Sequence, residues 1–262
     1  MRFARLRFPD RASPIYARLE GNLAHPLSRA PWQDGGASND GEPRTWTQDD
    51  LLCPVTPTKI VCVGRNYAAH AKELGNEVPV EPLLFFKPPS SLVGPGGVVV
   101  LPPESDRVEH EAELGVVMGK RARHVSVADA MTTVFGYTIV NDVSARDLQK
   151  KDGQWARAKG FDTFCPVGPW IETDLDPGDL RVVCRVNGAV RQDGRTSSMI
   201  FDVATLVAYV SRIMTLEPGD LISTGTPEGV GPLKPGDACE CEINHPRGEP
   251  ALGTLSVSVE GA

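Results

Sequence analysis

Three glutamates, Glu109, Glu111 and Glu113, alternate with other residues just before the apolar run at residues 114–117. Side chains two positions apart on a strand share a face, so we expect these three to point the same way. Carboxylates buried side by side repel one another unless protons or a cation neutralise them. A ligand set made only of oxygens favours Mg²⁺, Mn²⁺ or Ca²⁺. The spacing predicts a metal site, and it leaves open a solvated strand face paired with lysine or arginine.

A further acid, Asp142, follows the apolar segment at residues 137–140, which reads as a strand. Active-site side chains are commonly delivered from the end of such a strand. Asp142 would complete a three-carboxylate site with room for substrate oxygens and water. The alternative is that Asp142 caps the helix-like segment that follows it.

His70 and Glu73 lie three residues apart in a segment of helical composition, so they are expected to be neighbours. A carboxylate beside an imidazole selects its tautomer and raises its basicity, which suits a general base acting on water. Such pairs also occur on ordinary helix surfaces, and that alternative stays open.

Three basic residues, Arg65, Lys87 and Lys159, follow apolar or turn segments. Each can bind a substrate carboxylate, arginine through two parallel hydrogen bonds and lysine as a point charge. The alternative is that each lays its stem on apolar surface and reaches solvent.

The glycine-rich stretch at residues 224–231 lacks the Gly-Lys-Ser/Thr ending of a phosphate-binding loop, so nucleotide binding is not supported. Its backbone N–H and hydroxyl groups are still able to hold an oxyanion.

The elements that must position these residues follow from the apolar pattern. Strands are predicted at residues 59–64, 83–87, 97–102, 108–119 and 137–142, and helices at 67–74, 126–135 and 202–214. Pro-Gly-Asp sequences at 177–179, 218–220 and 235–237 predict type II turns. Strand and helix do not alternate regularly, which favours an α+β fold over a doubly wound sheet. Residues 1–55, which include a loop at 33–44, are predicted to form a small β-rich N-terminal domain, and residues 56–262 the catalytic domain.

The composition excludes several classes of partner. The 262 residues are 40% hydrophobic and 23% charged, as in ordinary globular proteins. The net charge of −7 implies no basic face, so neither nucleic acid nor an anionic membrane is an expected partner. The chain starts without an apolar signal core and contains no apolar stretch of about 18 residues, so we predict a cytoplasmic protein.

The six cysteines are spread widely and form neither a Cys-x-x-Cys pair nor a Cys/His cluster with zinc spacing. They are predicted to be reduced and mostly buried. They are Cys53, Cys62, Cys165, Cys184, Cys239 and Cys241.

Taken in order, these segments resemble the fumarylacetoacetate hydrolase family over about residues 58–260. The matching strings are VGRNYAAHAKEL, LLFFKPPSSLVGPGG, HEAELGVVMGK, NDVSARDLQ, AKGFDTFCPVGPW, VNGAVRQDG, SSMIF and ISTGTPEGVG. The resemblance implies a β-rich mixed roll, a bound Mg²⁺ or Mn²⁺ and a homodimer.

The resemblance also implies residue roles. It implies that Glu111, Glu113 and Asp142 bind the metal. It implies catalytic roles for His70 and Glu73, as a water-activating pair on a mobile lid. It implies that the substrate pocket is lined by Arg65, Lys87, Gln149, Lys159 and Thr226. Within that pocket we expect a catalytic role for Lys159, which would hold the substrate carboxylate or stabilise the developing oxyanion. Glu109 falls outside the match and is expected to support a ligand or to be exposed, and Arg146 is expected to be structural or to support a ligand.

The function predicted from these roles is metal-dependent hydrolysis of a C–C bond in an acylpyruvate such as fumarylpyruvate or acetylpyruvate, through a metal-stabilised enolate. The alternatives are the isomerase or decarboxylase reactions of aromatic catabolism, on 2-hydroxyhepta-2,4-diene-1,7-dioate or 5-oxopent-3-ene-1,2,5-tricarboxylate, and decarboxylation of oxaloacetate. A non-catalytic, metal-stabilised binding protein is the alternative outside enzymes.

Overall fold

A computed structural model describes residues 1–33 and 38–262 of the chain. The predicted loop at 33–44 therefore lies partly outside the described residues. The strands of the first part are β1 (Arg2–Leu6), β2 (Ile15–Glu20), β3 (Leu23–Leu27), β4 (Arg44–Thr45), β5 (Leu51–Leu52), β6 (Ile60–Gly64), β7 (Leu83–Lys87), β8 (Leu92–Val93), β9 (Val98–Leu101) and β10 (Val108–His110). Those of the second part are β11 (Ala112–Met118), β12 (Val134–Asn141), β13 (Ser144–Ala145), β14 (Cys165–Glu172), β15 (Arg181–Val186), β16 (Ala189–Arg195), β17 (Leu221–Ser223), β18 (Gly231–Pro232), β19 (Ala238–Asn244) and β20 (Pro250–Gly261).

The strands form three sheets within the described part of the chain. The largest has the order β4-β3-β2-β1-β14-β12-β11-β17-β6-β7, with β5 on β1 and β8 on β14. A five-stranded sheet has the order β16-β15-β19-β20-β9, and a short one has the order β13-β10-β18. Most pairs are antiparallel, whereas β17 with β6, β14 with β8 and β20 with β9 are parallel. The β-rich, mixed α+β fold expected from the sequence is therefore confirmed.

The main core lies between the large sheet and the five-stranded sheet. Buried apolar side chains from β11 and β12 pack in one cluster with those of β15, β19 and β20. Leu114, Ile139, Val182 and Leu255 belong to this cluster, and each is almost fully shielded from solvent. Alternating apolar residues on both sheets thus bury one face of each against the other.

The helices are short and lie outside the sheets. They are α1 (Ala68–Glu73), α2 (Val127–Ala130), α3 (Arg146–Asp152), α4 (Ala156–Gly160) and α5 (Val203–Ile213), with 3₁₀ turns at Gln48–Asp50, Pro89–Ser91, Met131–Thr133, Pro177–Asp179 and Thr196–Ser198. None of the helices in the described residues is long and apolar enough to cross a membrane.

Two local predictions need correction. The helix expected at 126–135 begins at the Ser126 cap as predicted, but it becomes a 3₁₀ turn and gives way to β12 at Val134. The Pro177–Asp179 sequence is a 3₁₀ turn capped by Asp176, so the type II prediction is wrong there. Gly219 and Gly236, in the other two Pro-Gly-Asp sequences, have the positive φ angles that a type II turn requires.

The predicted strand at 108–119 is interrupted at Glu111. Residues before the interruption pair with β13 and β18, and those after it pair with β12 and β17. At the interruption, the Glu111 N–H donates to Asn141 Oδ1, and the Glu111 carbonyl accepts from the Asp142 N–H at 2.8 Å. The prediction that all three glutamates share one face is therefore wrong for Glu109, which lies in a different sheet.

The N-terminal strands have a small core of their own. Ala4, Leu6, Phe8, Ala17, Leu19, Ala24 and Leu51 form a separate buried cluster. At the same time β1 pairs with β14, so these strands extend the large sheet. The division of the chain near residue 55 stays a prediction.

Replacing Leu6 with alanine should lower the free energy of unfolding by about 2–5 kcal/mol, because it removes a fully buried side chain and leaves a cavity. Denaturant unfolding followed by fluorescence would measure this. Leu23→Ala is the control, since Leu23 is 38% exposed and its truncation should cost much less. Equal effects of the two changes would contradict the proposed packing of the N-terminal cluster.

Candidate active site

Three carboxylates converge where β11 and β12 end side by side. Ala112 pairs with Asn141, so Glu111 and Asp142 flank the same register position, and Glu113 follows on β11. One carboxylate oxygen from each of Glu111, Glu113 and Asp142 lies within 4.8 Å of the other two. Each of these residues is at most 4% exposed. The alternative of a solvated acidic strand face does not fit this burial.

Two buried lysines contact the carboxylates. Lys159 Nζ lies 2.8 Å from Glu111 Oε2 and 2.8 Å from Asp142 Oδ2. Lys87 Nζ lies 2.6 Å from Asp142 Oδ1 and also donates to the Val143 carbonyl. Lys87 thus lies behind Asp142, outside the lining of the cavity, and this position does not match the substrate contact expected for it. Burial of both ammonium groups also contradicts the alternative of solvent-facing lysines.

An arginine joins the two sheets at this point. Arg146 Nε donates to Glu109 Oε2 at 2.8 Å, and Arg146 Nη2 donates to Glu111. Arg107 Nε donates to the other Glu109 oxygen at 2.6 Å. Glu109 is therefore buried, and it orients Arg146, which in turn contacts Glu111. This position agrees with the expectation that Glu109 supports a ligand, and it does not agree with the alternative that Glu109 is exposed. Arg146 Nη1 also holds Gln149, whose side chain lines the cavity.

The two glutamates of the site have opposite electrostatic surroundings. Burial alone would raise the pKa of Glu111, but the charges of Lys159 and Arg146 outweigh burial and lower this pKa far below its usual range. Burial together with the charges of Asp142 and Glu111 raises the pKa of Glu113 well above its usual range. Glu113 is thus the carboxylate of the three with the least cationic compensation.

The glycine-rich loop at residues 224–231 donates its backbone amides to carboxylates of the site. Gly225 N–H and the Ser223 hydroxyl both donate to Glu113 Oε2, the former at 2.8 Å. Gly229 N–H donates to Glu73 Oε1 at 3.1 Å. The backbone amides of the loop therefore bind anionic oxygens, and these oxygens belong to side chains of the protein. Ser223 was not found from the sequence, because a serine at a strand end carries no distinguishing signal.

His70 and Glu73 form the pair expected from their helical spacing. His70 Nδ1 lies 3.3 Å from Glu73 Oε2, and His70 is buried on α1. Because Gly229 fixes Glu73, the imidazole is tied to the same loop that orients Glu113. Since Nδ1 faces Glu73, Nε2 is the ring nitrogen left to exchange a proton with a substrate.

A cavity of about 420 Å³ opens above the carboxylates. The predicted site residues that line it are Arg65, His70, Glu111, Glu113, Asp142, Gln149, Lys159 and Thr226. Two aromatic side chains that were not predicted as site residues, Phe85 and Trp155, also line the cavity. Their rings pack edge to face with centroids 5.1 Å apart. Trp155 lies in a polar segment with no periodicity, so no pattern indicated its place.

Gly225→Ala should weaken Mn²⁺ binding by about 10-fold or more, because its Cβ would lie 2.6 Å from Asn66 Cβ and would displace the amide that holds Glu113. Calorimetric titration with Mn²⁺ measures this affinity. Gly236→Ala is a matched control, since Gly236 has a similar positive φ, 91° against 97°, with nothing within 4 Å of the added carbon. Equal affinities in the two variants would contradict the role of the Gly225 amide.

Comparison with known proteins identifies the family of this chain. Residues 59–260 match the family model described as fumarylacetoacetate (FAA) hydrolase C-terminal. A protein from Mycobacterium tuberculosis is 45% identical over 98% of this chain and 97% of its own length. The human mitochondrial oxaloacetate tautomerase FAHD2A is 51% identical over 74% of this chain and 66% of its own length.

Solved structures extend the likeness to the whole chain. The 5-carboxymethyl-2-hydroxymuconate delta-isomerase from Mycobacterium smegmatis is 42% identical, with a TM-score of 0.89 and full coverage of both chains. The 2-hydroxyhepta-2,4-diene-1,7-dioate isomerase from Mycobacterium marinum is 44% identical, with a TM-score of 0.88, over 100% of this chain and 98% of its own. The human relative thus carries a tautomerase name, and these two structures carry isomerase names. By fold, by the residues matched and by sequence identity, the chain belongs to the fumarylacetoacetate hydrolase family.

Proposed function

We propose that this chain is a divalent-metal-dependent enzyme that moves a proton at the carbon next to the keto group of a small 2-oxo acid, as an isomerase or tautomerase. The observation that carries this proposal is the convergence of three buried carboxylates in one cavity with His70. The sequence alone placed C–C hydrolysis first. The isomerase and tautomerase names of relatives that are 42–51% identical support placing proton transfer ahead of it.

The donor set fits a hard dication. The ligand atoms on offer are all carboxylate oxygens, from Glu111, Glu113 and Asp142. Glu113 accepts hydrogen bonds from the Ser223 hydroxyl and the Gly225 N–H, and among the described residues no cationic group lies at hydrogen-bond distance from it. Mg²⁺ or Mn²⁺ is the ion we propose. When bound, such an ion supplies a Lewis acid that polarises the keto oxygen of the substrate.

Substrate binding is proposed for the polar side chains around the cavity. Arg65 has a positive φ of 62°, and its buried Nε has no hydrogen-bond partner among the described residues. A guanidinium group with an unused N–H donor is suited to bind a substrate carboxylate. Gln149 and Thr226 line the same cavity and add an amide and a hydroxyl. These three side chains surround the space in which a 2-oxo acid would lie.

Proton transfer is proposed for His70. Glu73 accepts from the Gly229 amide and faces His70 Nδ1, so it keeps a proton on that nitrogen and leaves Nε2 basic. In this position Nε2 takes a proton from one carbon of the substrate and returns it to another atom. Such a group typically contributes about 10²–10⁴-fold to a rate.

Lys159 is proposed to stabilise negative charge on the substrate. Its ammonium group is buried and held by Glu111 and Asp142, and it lies 4.8 Å from the centre of the Phe85 ring. Burial and the charge of Arg146 would lower the pKa of Lys159. The negative charges of Asp142 and Glu111 outweigh them and raise this pKa above its usual range. Lys159 therefore stays charged beside the reacting atoms and lowers the energy of an oxyanion.

Hydrolysis of an acylpyruvate is the second candidate. The observation that favours it is the His70–Glu73 pair, which is equally able to deprotonate a water molecule. The two reactions share the requirement for a polarised keto oxygen. They differ in whether water attacks the distal carbonyl.

A substrate panel separates the candidates. Purified protein with Mg²⁺ or Mn²⁺ would be incubated with oxaloacetate, a 2-hydroxyhepta-2,4-diene-1,7-dioate, acetylpyruvate and fumarylpyruvate, with ultraviolet absorbance recording enol, diene and diketone. Loss of the enol or diene without loss of carbon is expected. Release of pyruvate from acetylpyruvate or fumarylpyruvate would favour hydrolysis, and tight Mn²⁺ binding without any turnover would favour a non-catalytic binding protein.

His70→Ala should lower kcat by about 10²–10⁴-fold on the substrate that the panel identifies, with Mn²⁺ affinity unchanged, because His70 is not one of the proposed ligands. Steady-state kinetics and a Mn²⁺ titration would measure the two effects. Lys72→Ala, at an exposed position of the same helix, should leave both values near those of the unchanged chain. Full activity of His70→Ala with bound metal would rule out the proposed proton transfer.

Two further expectations from the family resemblance stay proposals. We propose that the chain forms homodimers. Residues 1–55 are proposed to form a small N-terminal domain beside the catalytic one.

A further inference from the structure

Three cysteines that are far apart in the sequence gather in the core, away from the acidic cavity. Cys184 lies on β15 and pairs directly across the ladder with Cys241 on β19. Cys239 lies two residues before Cys241, so both β19 sulfurs point to the face that carries Cys184. All three thiols are free and buried, at no more than 1% exposure.

The sulfur positions fit a single ion. Cys184 Sγ and Cys239 Sγ are 3.7 Å apart, and all three sulfurs lie within 4.8 Å of one another. With metal–sulfur bonds of about 2.3 Å, three sulfurs around one ion lie about 4 Å from each other. Little movement of the strands is therefore needed to close the three sulfurs on a metal.

The number and kind of ligands select the ion. No fourth cysteine, histidine or carboxylate in residues 1–33 and 38–262 joins the three sulfurs within the same distance. Structural zinc takes four ligands in a tetrahedron, and hard ions such as Mg²⁺ take oxygen. Thiolate sulfur is a soft ligand that suits monovalent copper, which is stable with three ligands. We propose that Cys184, Cys239 and Cys241 form a three-sulfur site for Cu⁺, separate from the acidic centre.

The groups around the sulfurs are compatible with bound thiolates. Asn141 Nδ2 lies 3.5 Å from Cys239 Sγ and donates to it, while Asn141 Oδ1 accepts from the Glu111 N–H. Hydrogen bonds with the Cys184 and Cys241 thiols lower the pKa of Cys239 well below its usual value. The contact with Cys239 raises the pKa of Cys184, and the contacts with Cys184 and Cys239 raise that of Cys241. The guanidinium of Arg191 adds positive charge near Cys184. These contacts offset part of the negative charge that the thiolates bring into the core.

Binding involves no change of oxidation state. Cu⁺ displaces the protons of the thiols that become ligands, the protons pass to solvent, and each sulfur keeps its electron pair to form a bond to copper. The site therefore needs neither an oxidant nor a reductant, and it differs from a disulfide, which would remove two electrons from a pair of thiols.

The test is an anaerobic titration of the reduced full-length protein with Cu⁺ in the presence of a chromogenic Cu⁺ chelator and saturating Mg²⁺. We expect one Cu⁺ per chain, with an ultraviolet band from sulfur-to-copper charge transfer. Cys239→Ser should lose at least the roughly 100-fold in affinity that even outer contacts of a metal site can cost. Cys165→Ser is the matched control, because Cys165 is equally buried but lies outside the cluster.

X-ray absorption of the copper-loaded, unsubstituted protein keeps the proposal testable if Cys239→Ser does not fold. Three sulfur neighbours at about 2.3 Å are expected, and a shell of oxygen or nitrogen would overturn the proposal. Equal Cu⁺ affinity in Cys239→Ser and Cys165→Ser would also overturn it. Failure of the reduced protein to bind Cu⁺, with formation of a Cys184 disulfide on mild oxidation, would replace the metal site by a redox pair.

Discussion

Burial of three carboxylates in one place is the constraint on which the rest of the site depends. Glu111, Glu113 and Asp142 lie close together in a part of the protein from which water is largely excluded. Like charges at such distances repel strongly unless opposite charge is supplied. Lys159 and Lys87 supply part of it, and the ammonium group of each is hydrogen-bonded to these carboxylates. The position left beside Glu113 is the one that suits a divalent cation.

The sheet architecture meets this constraint by joining two sheets at the acids. The interruption at Glu111 lets one segment contribute to two sheets, with Glu109 on one side and Glu113 on the other. Arg146 spans the gap and binds both Glu109 and Glu111. The loop after β17 then approaches from the opposite side with its amides. A short stretch of irregular backbone between regular strands is therefore what directs the acids into one cavity.

A single side chain, Asn141, lies between the carboxylates of the cavity and the three cysteines of the core. Asn141 accepts a hydrogen bond from the Glu111 amide through its oxygen and donates to Cys239 through its nitrogen. The carboxylates that we propose as ligands of a hard dication lie on the cavity side, and the sulfurs that we propose as ligands of Cu⁺ lie on the core side. Under these two proposals, each ligand set would select an ion of its own kind.

The sequence by itself determined the residues whose relation is local, and the tertiary structure decided those that depend on strand pairing. The spacing of Glu111 and Glu113 and that of His70 and Glu73 could be read directly, because strand and helix periods are fixed by backbone geometry. Two other features could not be predicted without the fold. Lys87 contacts Asp142, which is 55 residues away in the sequence, and the Gly225 N–H donates a hydrogen bond to Glu113 across 112 residues. The same is true of the three cysteines, whose spacing matches no motif. Which strands become neighbours, and in which register, is set by packing of the whole core, and no local pattern of residues encodes it.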